Sequence, residues 1–254
     1  MKIVVFAKLV PDLVEELTID ENGTALDSSW LRLIINEFDD HAIEQAILLK
    51  ERGGGHVTVI CLDYEGVDDV LFTAHAKGAD RLIKVCGNFA GGVNNHALAR
   101  AIKPIFEELS PDLIMTGVQA NNDLDGSLGP LLAEYLQMPF IGYVSGVNIN
   151  CEEATIIKEY PGGLTAELNV LLPAVLGIQS AEQSPRYVAI SKVRLAMKTA
   201  NIEEHEAVNL DATGGPDEFK LSLPESAGRA KMIEGKPEEV AAQFIELFKE
   251  VGVL

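Results

Sequence analysis

Basic residues are scarce in this sequence relative to acidic ones. Its 254 residues include 39 aspartates and glutamates but only 20 lysines and arginines, so the formal net charge is −19. A chain this acidic repels phosphate backbones and anionic membrane surfaces, which argues against nucleic-acid binding as a main role. A well-solvated surface explains the excess of carboxylates, and steering toward basic partners is the alternative.

Cysteines and long hydrophobic runs are also scarce. Cys61, Cys86 and Cys151 form no Cys-x-x-Cys motif, and each lies in or beside an apolar run. Buried free thiols are therefore favoured over disulfides or metal ligands, which indicates a reducing compartment. Lys8 interrupts the N-terminal apolar stretch before it is long enough for a signal sequence or a membrane span. We expect a soluble, cytoplasmic protein.

No residues with catalytic or metal-binding spacing stand out. The five histidines are scattered, and paired acids such as Glu15-Glu16 and Glu107-Glu108 fit polar helix faces or helix starts. No Ser/His/Asp set can be inferred. We therefore predict neither a metal site nor a catalytic residue.

Short apolar runs alternate with longer amphipathic segments over the first 145 residues. The runs predict strands buried on both faces, and the segments between them predict helices. The predicted strands are Ile3–Ala7, Val57–Leu62, Leu82–Val85, Leu113–Thr116 and Phe140–Val144, and the predicted helices are Asp39–Arg52, Val67–Lys77, Asn94–Leu109 and Ser127–Leu136. This alternation predicts parallel βαβ units, in which ligands bind beyond the carboxyl ends of the strands.

The pattern changes after about residue 145. Short predicted strands around Pro161-Gly-Gly163 indicate an antiparallel hairpin, and the chain after Ile178 is polar. A last amphipathic helix is predicted at Pro237–Glu250. The fold class is therefore α/β, a mostly parallel sheet flanked by helices (a nucleotide-binding, universal-stress-like layout), with an added hairpin and a C-terminal arm. We expect residues 1–180 to form the nucleotide-binding domain, and residues 181–254 to form an extended arm and a helix that docks on a partner subunit.

The segment Gly117–Pro130, GVQANNDLDGSLGP, follows a predicted strand and leads into a predicted helix. Its glycines give backbone freedom, and unpaired N–H groups at a helix start near Asp125 to Ser127 attract phosphate. An ordinary capped connection explains the same residues. Likewise, Asn36 and Phe38 suit either nucleotide contacts or a capping turn with a core aromatic, so spacing alone leaves both alternatives open.

Several motifs occur in a specific order along nearly the whole chain. Asn36-Glu-Phe-Asp39 precedes Gly117-x-Gln119-Ala120, and a Gly162-Gly163 hairpin leads to Leu172-Pro-Ala-Val175 and then to Pro185-Arg-Tyr187. In this order the motifs resemble the beta subunit of electron-transfer flavoproteins. The resemblance implies an electron-carrier subunit without substrate chemistry of its own, which pairs with an alpha subunit as a heterodimer.

The resemblance also implies cofactors. The alpha subunit holds an FAD that the beta subunit helps to enclose, and the beta subunit binds its own adenine nucleotide. That nucleotide is AMP in most members and a second FAD in flavin-bifurcating members, which split electrons from NADH. The implied cofactor-binding residues are Phe6, Ala7, Asn36, Phe38, Asp39, Leu62, Gly117, Gln119, Ala120, Asn122, Asp123, Leu124, Asp125, Gly126, Ser127 and Leu128.

The arm resembles the segment with which this family docks on acyl-CoA dehydrogenases or other redox partners. The implied partner-binding residues are Pro185, Arg186, Tyr187 and Ile190. Ile190 stands where the family keeps an anchoring leucine. No nucleic-acid partner and no membrane insertion are expected.

The nucleotide loop departs from the AMP-binding pattern. Gly126, Ser127 and Leu128 replace the three side chains expected near the AMP phosphate, and Leu62 replaces a smaller residue near the adenosine. Leu128-Gly-Pro130 is similar to the Val-Gly-Pro of the bifurcating branch. We therefore predict a divergent member closer to that branch, with FAD in the beta-subunit site. An AMP-binding beta subunit and a non-redox nucleotide-binding regulatory module are the alternatives.

Overall fold

The computed structural model describes residues 1–27, 29–89, 93–123, 125–207, 210–211, 213–216, 220–224, 230 and 232–253. They form two compact units, Met1–Leu221 and Ser222–Leu254. The predicted division into a nucleotide-binding domain, residues 1–180, and an arm with a C-terminal helix, residues 181–254, stays a prediction.

The first unit is built on one large sheet. Its strands and those of a small β2–β3 pair are β1 Lys2–Ala7, β2 Leu9–Pro11, β3 Leu33–Ile35, β4 His56–Leu62, β5 Arg81–Cys86, β6 Leu113–Gly117, β7 Phe140–Asn150, β8 Glu153–Tyr160, β9 Leu164–Leu171, β10 Ala174–Ile178 and β11 Ile202–Glu206. Within the described residues the order of the large sheet is β11-β5-β4-β1-β6-β10-β7-β8-β9. All neighbours from β11 to β7 are parallel, whereas β8 and β9 are antiparallel. The predicted fold class is confirmed.

Helices cover both faces of the parallel part. They are α1 Glu37–Gly53, α2 Val67–Lys77, α3 Asn95–Leu109, α4 Leu128–Leu136 and α5 Ile190–Thr199. Successive side chains of β1 point to opposite faces, so Ile3 and Val5 pack with α1 and α2, while Val4 and Phe6 pack with α3 and α4. Because both faces are buried, the strands read as continuous apolar runs.

The chain after residue 180 has more regular structure than its polar composition indicates. Helix α5 lies against α2 and buries Ala196 between them. Strand β11 then extends the edge of the sheet beside β5, where Glu203 forms a bidentate ion pair with Arg81. Polar residues are compatible with these elements, because an edge strand and an outer helix bury only part of their surface.

The cysteine prediction is correct for Cys61, which is fully buried, but wrong for Cys151, which is exposed. Cys151 lies in the turn between β7 and β8 and has a positive φ of 58°. It therefore projects from the end of the hairpin rather than into the core beside it.

The second unit contains helix α6, Pro237–Val251. Pro237 occupies the first turn, where its missing N–H costs nothing, and the Glu239 carboxylate accepts a hydrogen bond from the N–H of Lys236. Phe244 and Phe248 lie one turn apart with ring centroids at 5.9 Å, and both are partly exposed. In neither unit is any described helix both long and apolar enough to cross a bilayer.

Candidate functional site

The candidate site lies at the carboxyl ends of β1 and β6, which are neighbours in the sheet. The start of α1 and the first residue of α3 also reach this place. Gly117 ends β6, and the segment after it leads to α4, while Lys8 directly follows β1. The topology therefore brings together residues that are more than a hundred positions apart.

Asp39 is the central polar residue of the site. Helix α1 begins at Glu37, two residues before the predicted start, so Asp39 lies inside the first turn. One carboxylate oxygen accepts from the Gly117 N–H at 2.6 Å, and the other accepts from the Lys8 N–H and the Asn36 side-chain amide at 2.9 Å each. Burial raises the pKa of Asp39 to about 6, against the effect of these donors. This one side chain joins α1, β1 and β6.

Gly117 is glycine because Asp39 and Phe38 leave no space for a side chain. A methyl carbon at Gly117 would lie 2.7 Å from Asp39 Oδ1 and 2.7 Å from Phe38 Cβ. The helix backbone of α1 fixes Phe38 Cβ, and Asp39 Oδ1 could move away only by giving up its hydrogen bond with the Gly117 N–H. Glycine at position 117 thus allows the end of β6 to lie directly against the first turn of α1.

Replacing Gly117 with alanine is expected to lower the free energy of unfolding by about 2 kcal/mol, the usual cost of overpacking a tight contact. Urea unfolding measures the change. Gly53→Ala is the matched control, because a methyl carbon at Gly53 meets no atom within 4 Å. It should leave stability unchanged or slightly higher, since alanine favours the helix. Equal losses in both variants would contradict the close packing around Gly117.

Lys8 provides a partly buried positive charge inside the loop. Its ammonium group donates to Asp123 Oδ1 at 2.5 Å and to Asn95 Oδ1 at 2.8 Å. The side chains of Lys8 and Asp123 are only 13% and 9% exposed. The other oxygen of Asp123 accepts the Ala120 N–H at 3.0 Å. The ion pair therefore holds the loop onto the end of β1 and neutralises Asp123.

The second half of the loop is held by Asp125. Its carboxylate accepts from the Asn95 amide at 2.8 Å and from the Ser127 N–H at 3.1 Å. Partial burial acts to raise the pKa of Asp125, but the interactions of its carboxylate with Asn95 and Ser127 outweigh it and the net pKa is lowered. Ser127 is the residue before α4, yet its side chain makes no capping bond. Ser127 Oγ and Thr116 Oγ1 are buried without a hydrogen-bond partner among the described residues.

A narrow cavity lies under this loop. Its volume is only about 10 Å³, so a ligand that reached the buried atoms of Lys8 or Asp39 would require the loop to move. Its lining comprises Lys8, Asn36, Asp39, Thr116, Gly117, Val118, Gln119, Ala120, Asp123, Gly126 and Leu128. Half of the sixteen predicted cofactor-binding residues thus line this cavity.

Several other predicted cofactor-binding residues are not among those that line this cavity. The side chains of Phe6, Ala7 and Leu62 lie in the core, which leaves only their main-chain atoms for a ligand. Phe38 is half-buried beside Gly117, and Asn122 is exposed. Leu124 lies outside the described residues.

The residues that sequence reasoning missed are Lys8, Asn95 and Thr116. Lys8 directly follows a predicted strand, and the rule that ligands bind beyond strand ends could have identified it. Thr116 ends the predicted fourth strand and could have been found in the same way. Nothing local marks Asn95, because its partners Lys8 and Asp125 are distant in sequence.

The predicted partner-binding residues divide into two groups. Tyr187 and Ile190 project into solvent, with 88% and 65% of their surface exposed. Pro185 is half-buried, and the guanidinium of Arg186 is engaged by Glu44 and Glu51 of α1. Only the first group presents a free apolar surface at the start of α5.

Comparisons with known proteins identify the family of this chain. A family model described as the electron transfer flavoprotein domain matches residues 27–210. The electron transfer flavoprotein subunit beta of Methylophilus methylotrophus is 31% identical, and that of Clostridium acetobutylicum is 30% identical; each alignment covers 98% of both chains. The caffeyl-CoA reductase-Etf complex subunit CarD of Acetobacterium woodii is 28% identical, with 100% of both chains covered. The chain therefore belongs to the electron transfer flavoprotein family, as a beta subunit whose relatives are electron carriers.

Proposed function

We propose that this chain pairs with an alpha subunit as a heterodimeric electron carrier and binds an FAD of its own at the carboxyl ends of β1 and β6. The observation that carries this proposal is the start of α4, where the buried Ser127 hydroxyl has no partner among the described residues. The first N–H groups of a helix also lack intrahelical partners, and they attract phosphate oxygens. In α4 these groups belong to Leu128 and Gly129, because Pro130 has no N–H. Together with Ser127 Oγ, which is buried, they would hold a pyrophosphate once the loop moves.

The charges of the loop are compatible with an anionic ligand. Asp123 would repel a phosphate, but the Lys8 ammonium group neutralises it. Asp125 is occupied by the Asn95 amide and the Ser127 N–H. Gly126 has a positive φ of 60°, a backbone conformation that side chains rarely adopt, and it places no side chain next to Ser127. A bound flavin supplies the ring that takes up and releases electrons, and the residues of this chain bind and orient it.

The preference for FAD over AMP rests on the residues that begin α4. Gly126, Ser127 and Leu128 lack the side chains that the resemblance associates with an AMP phosphate. Gly129, which belongs to the Leu128-Gly-Pro130 likeness, is weaker support for FAD. A methyl carbon at Gly129 would lie 2.8 Å from the Phe140 ring and 3.1 Å from Thr116 Oγ1. Packing alone therefore requires Gly129.

Exposed apolar groups support two protein partners. We assign the apolar face of α6, with Phe244 and Phe248, to the alpha subunit, because an amphipathic helix requires an apolar surface. We assign the start of α5, with Tyr187 and Ile190, to the redox partner. Helix α5 carries Lys and Arg but no acidic residue in a chain of net charge −19. It therefore suits a partner with an apolar groove bordered by carboxylates.

The nucleotide content of the purified heterodimer tests the proposal. The chain is co-expressed with a candidate alpha subunit from the same organism, the complex is denatured, and the released nucleotides are separated by chromatography. We expect FAD and no AMP. One FAD with one AMP per heterodimer would refute the second flavin but keep the family function. If no flavin-containing complex forms, the regulatory nucleotide-binding module becomes the better explanation.

A further inference from the structure

Arg186 stands at the base of the docking segment, and its guanidinium is held by two carboxylates of its own chain. Its Nε and one terminal nitrogen contact Glu44 Oε1 at 2.9 and 2.8 Å. The two terminal nitrogens donate to the Glu51 oxygens at 2.6 and 3.0 Å. The Arg186 N–H donates to the remaining oxygen of Glu44 at 3.0 Å. The planar guanidinium fork suits this double carboxylate contact, which an ammonium group cannot reproduce.

The Glu44 carboxylate depends on Arg186. The Glu44 side chain is only 2% exposed on α1, and a buried charge without a compensating partner is strongly destabilising. Hydrogen bonds from Arg186 also hold the pKa of Glu51 below its usual value. Both carboxylates belong to α1, so Arg186 ties its own segment to this helix.

The residues just before Arg186 are held by the same helix. The Ala181 N–H donates to His41 Nδ1 at 3.1 Å, and the Glu182 N–H donates to the Gln45 side chain at 3.0 Å. The Glu182 carboxylate in turn accepts from Gln45 and Arg52. The polar face of α1 therefore fixes the path of residues 181–186.

This path determines where the exposed residues begin. Arg186 also lies 3.5 Å from the carbonyl of Lys77 at the end of α2, and α5 packs against α2. Tyr187 follows Arg186 directly, and Ile190 starts α5 three residues later. The orientation of both apolar side chains is thus set at the junction of α1 and α2.

We propose that Arg186 is a positioning residue for partner docking: it holds Tyr187 and Ile190 in the orientation that a redox partner recognises, without touching the partner itself. This inference rests on the proposed docking role of the α5 start. The competing roles are a direct contact between Arg186 and the partner, and a purely structural contribution to stability.

Four single variants of the heterodimer separate these roles. Arg186→Lys keeps the charge and loses the fork, and Glu44→Gln removes the buried carboxylate from a side chain that no partner can reach. Arg81→Lys is the matched control, because Arg81 forms a comparable bidentate pair with Glu203 on β11 and is 30% exposed, against 32% for Arg186. Ile190→Ala tests the docking surface directly.

The readout is the rate of flavin reduction against the concentration of a purified acyl-CoA dehydrogenase reduced by its acyl-CoA substrate. We expect Arg186→Lys and Glu44→Gln to raise the KM for the dehydrogenase about tenfold, a loss of about 1.4 kcal/mol in docking. The kcat, the flavin content and reduction by dithionite should stay unchanged. Arg81→Lys should keep the wild-type KM, and it should lose less thermal stability because its partner Glu203 is 39% exposed.

Each other outcome overturns a specific claim. A raised KM in Arg186→Lys with a normal KM in Glu44→Gln would mean that Arg186 contacts the partner itself. Equal changes of KM in Arg186→Lys and Arg81→Lys would indicate a purely structural role. If only Ile190→Ala raises the KM, the positioning role is wrong but the docking surface stands. If Ile190→Ala also leaves the KM unchanged, the proposed docking surface is wrong.

Discussion

Asp39→Asn is expected to lower the free energy of unfolding by about 3 kcal/mol at pH 7, because a buried polar group that loses its partners costs 1–3 kcal/mol and charged acceptors cost more. The carboxylate accepts three N–H donors, from Gly117, Lys8 and Asn36. An asparagine offers one oxygen, so its amide nitrogen must face at least one donor. Chemical denaturation at pH 7 measures the difference.

Glu37→Gln is the control for Asp39→Asn. Glu37 lies in the same first turn of α1 and is exposed, so this variant removes an equivalent charge from the helix start. It should cost less than about 1 kcal/mol, the size of a helix-dipole effect. A loss in Asp39→Asn no larger than that in Glu37→Gln would refute the role of Asp39 as the junction of three elements.

The difference in unfolding free energy between wild type and Asp39→Asn is expected to depend on pH. The pKa of Asp39 is about 6 in the folded chain and 3.8 in the unfolded chain, so the folded state binds this proton more tightly. Stability from this group therefore rises as the pH falls through 6 and is lost as the pH rises. The difference in unfolding free energy between wild type and Asp39→Asn should grow by about 1 kcal/mol between pH 7 and pH 5. A constant difference would show that the pKa of Asp39 is normal.

Lys8→Met is expected to destabilise the chain by about 3 kcal/mol, because it leaves the Asp123 charge buried without a cation. Methionine is similar in length to lysine, so the change is chiefly electrostatic. The proposed second cofactor should also be lost during purification, because the loop that holds it is no longer fixed to β1. Urea unfolding and the absorbance of the purified heterodimer measure the two effects.

Two further variants test the electrostatic explanation of Lys8→Met. Lys2→Met changes a lysine at the opposite end of β1, where the ammonium group contacts only the Leu109 carbonyl among the described residues, and it should be nearly neutral. Adding Asp123→Asn to Lys8→Met removes the orphaned charge and should restore more than half of the lost stability. If the double variant is no more stable than Lys8→Met, the ion pair is not the cause.

The parallel core could be predicted because its signals are local. Helix α2 has the predicted bounds Val67–Lys77, since Gly66 and Gly78 flank it and both have a positive φ. The buried strands were recognisable from continuous apolar runs. The end of the strand predicted at Phe140–Val144 was wrong: these residues and the following ones to Asn150 form a single strand, β7, whose register shifts between Val144 and Gly146.

The edge strand β11 could not be predicted from its own residues. Its sequence, Ile-Glu-Glu-His-Glu, has the composition of a loop. It is stabilised by ion pairs of Glu203 with Arg81 and of Glu204 with Lys84 at 3.1 Å, both on β5. These partners are about 120 residues away in sequence, and no local pattern indicates such a pairing.

The contacts within the candidate site could not be predicted from local sequence either. The sequence indicated the loop from Gly117 and the residues Asn36 and Asp39, because they border predicted strands and helices. It did not show that Asp39 binds Gly117, or that Lys8 neutralises Asp123, because these contacts depend on the order of strands in the sheet. The inward direction of Arg186 was likewise invisible, since Glu44 and Glu51 are far from it in sequence.

The flavin content of wild type and Gly117→Ala, each purified as a heterodimer with the alpha subunit, tests the proposed cofactor site most directly. The visible absorbance per heterodimer should correspond to two flavins in the wild type and one in Gly117→Ala. The flavin held by the alpha subunit remains, while the site at β1 and β6 is disrupted by the methyl group against Asp39 and Phe38. Two flavins in Gly117→Ala, or a single flavin in the wild type, would contradict an FAD site at these strand ends.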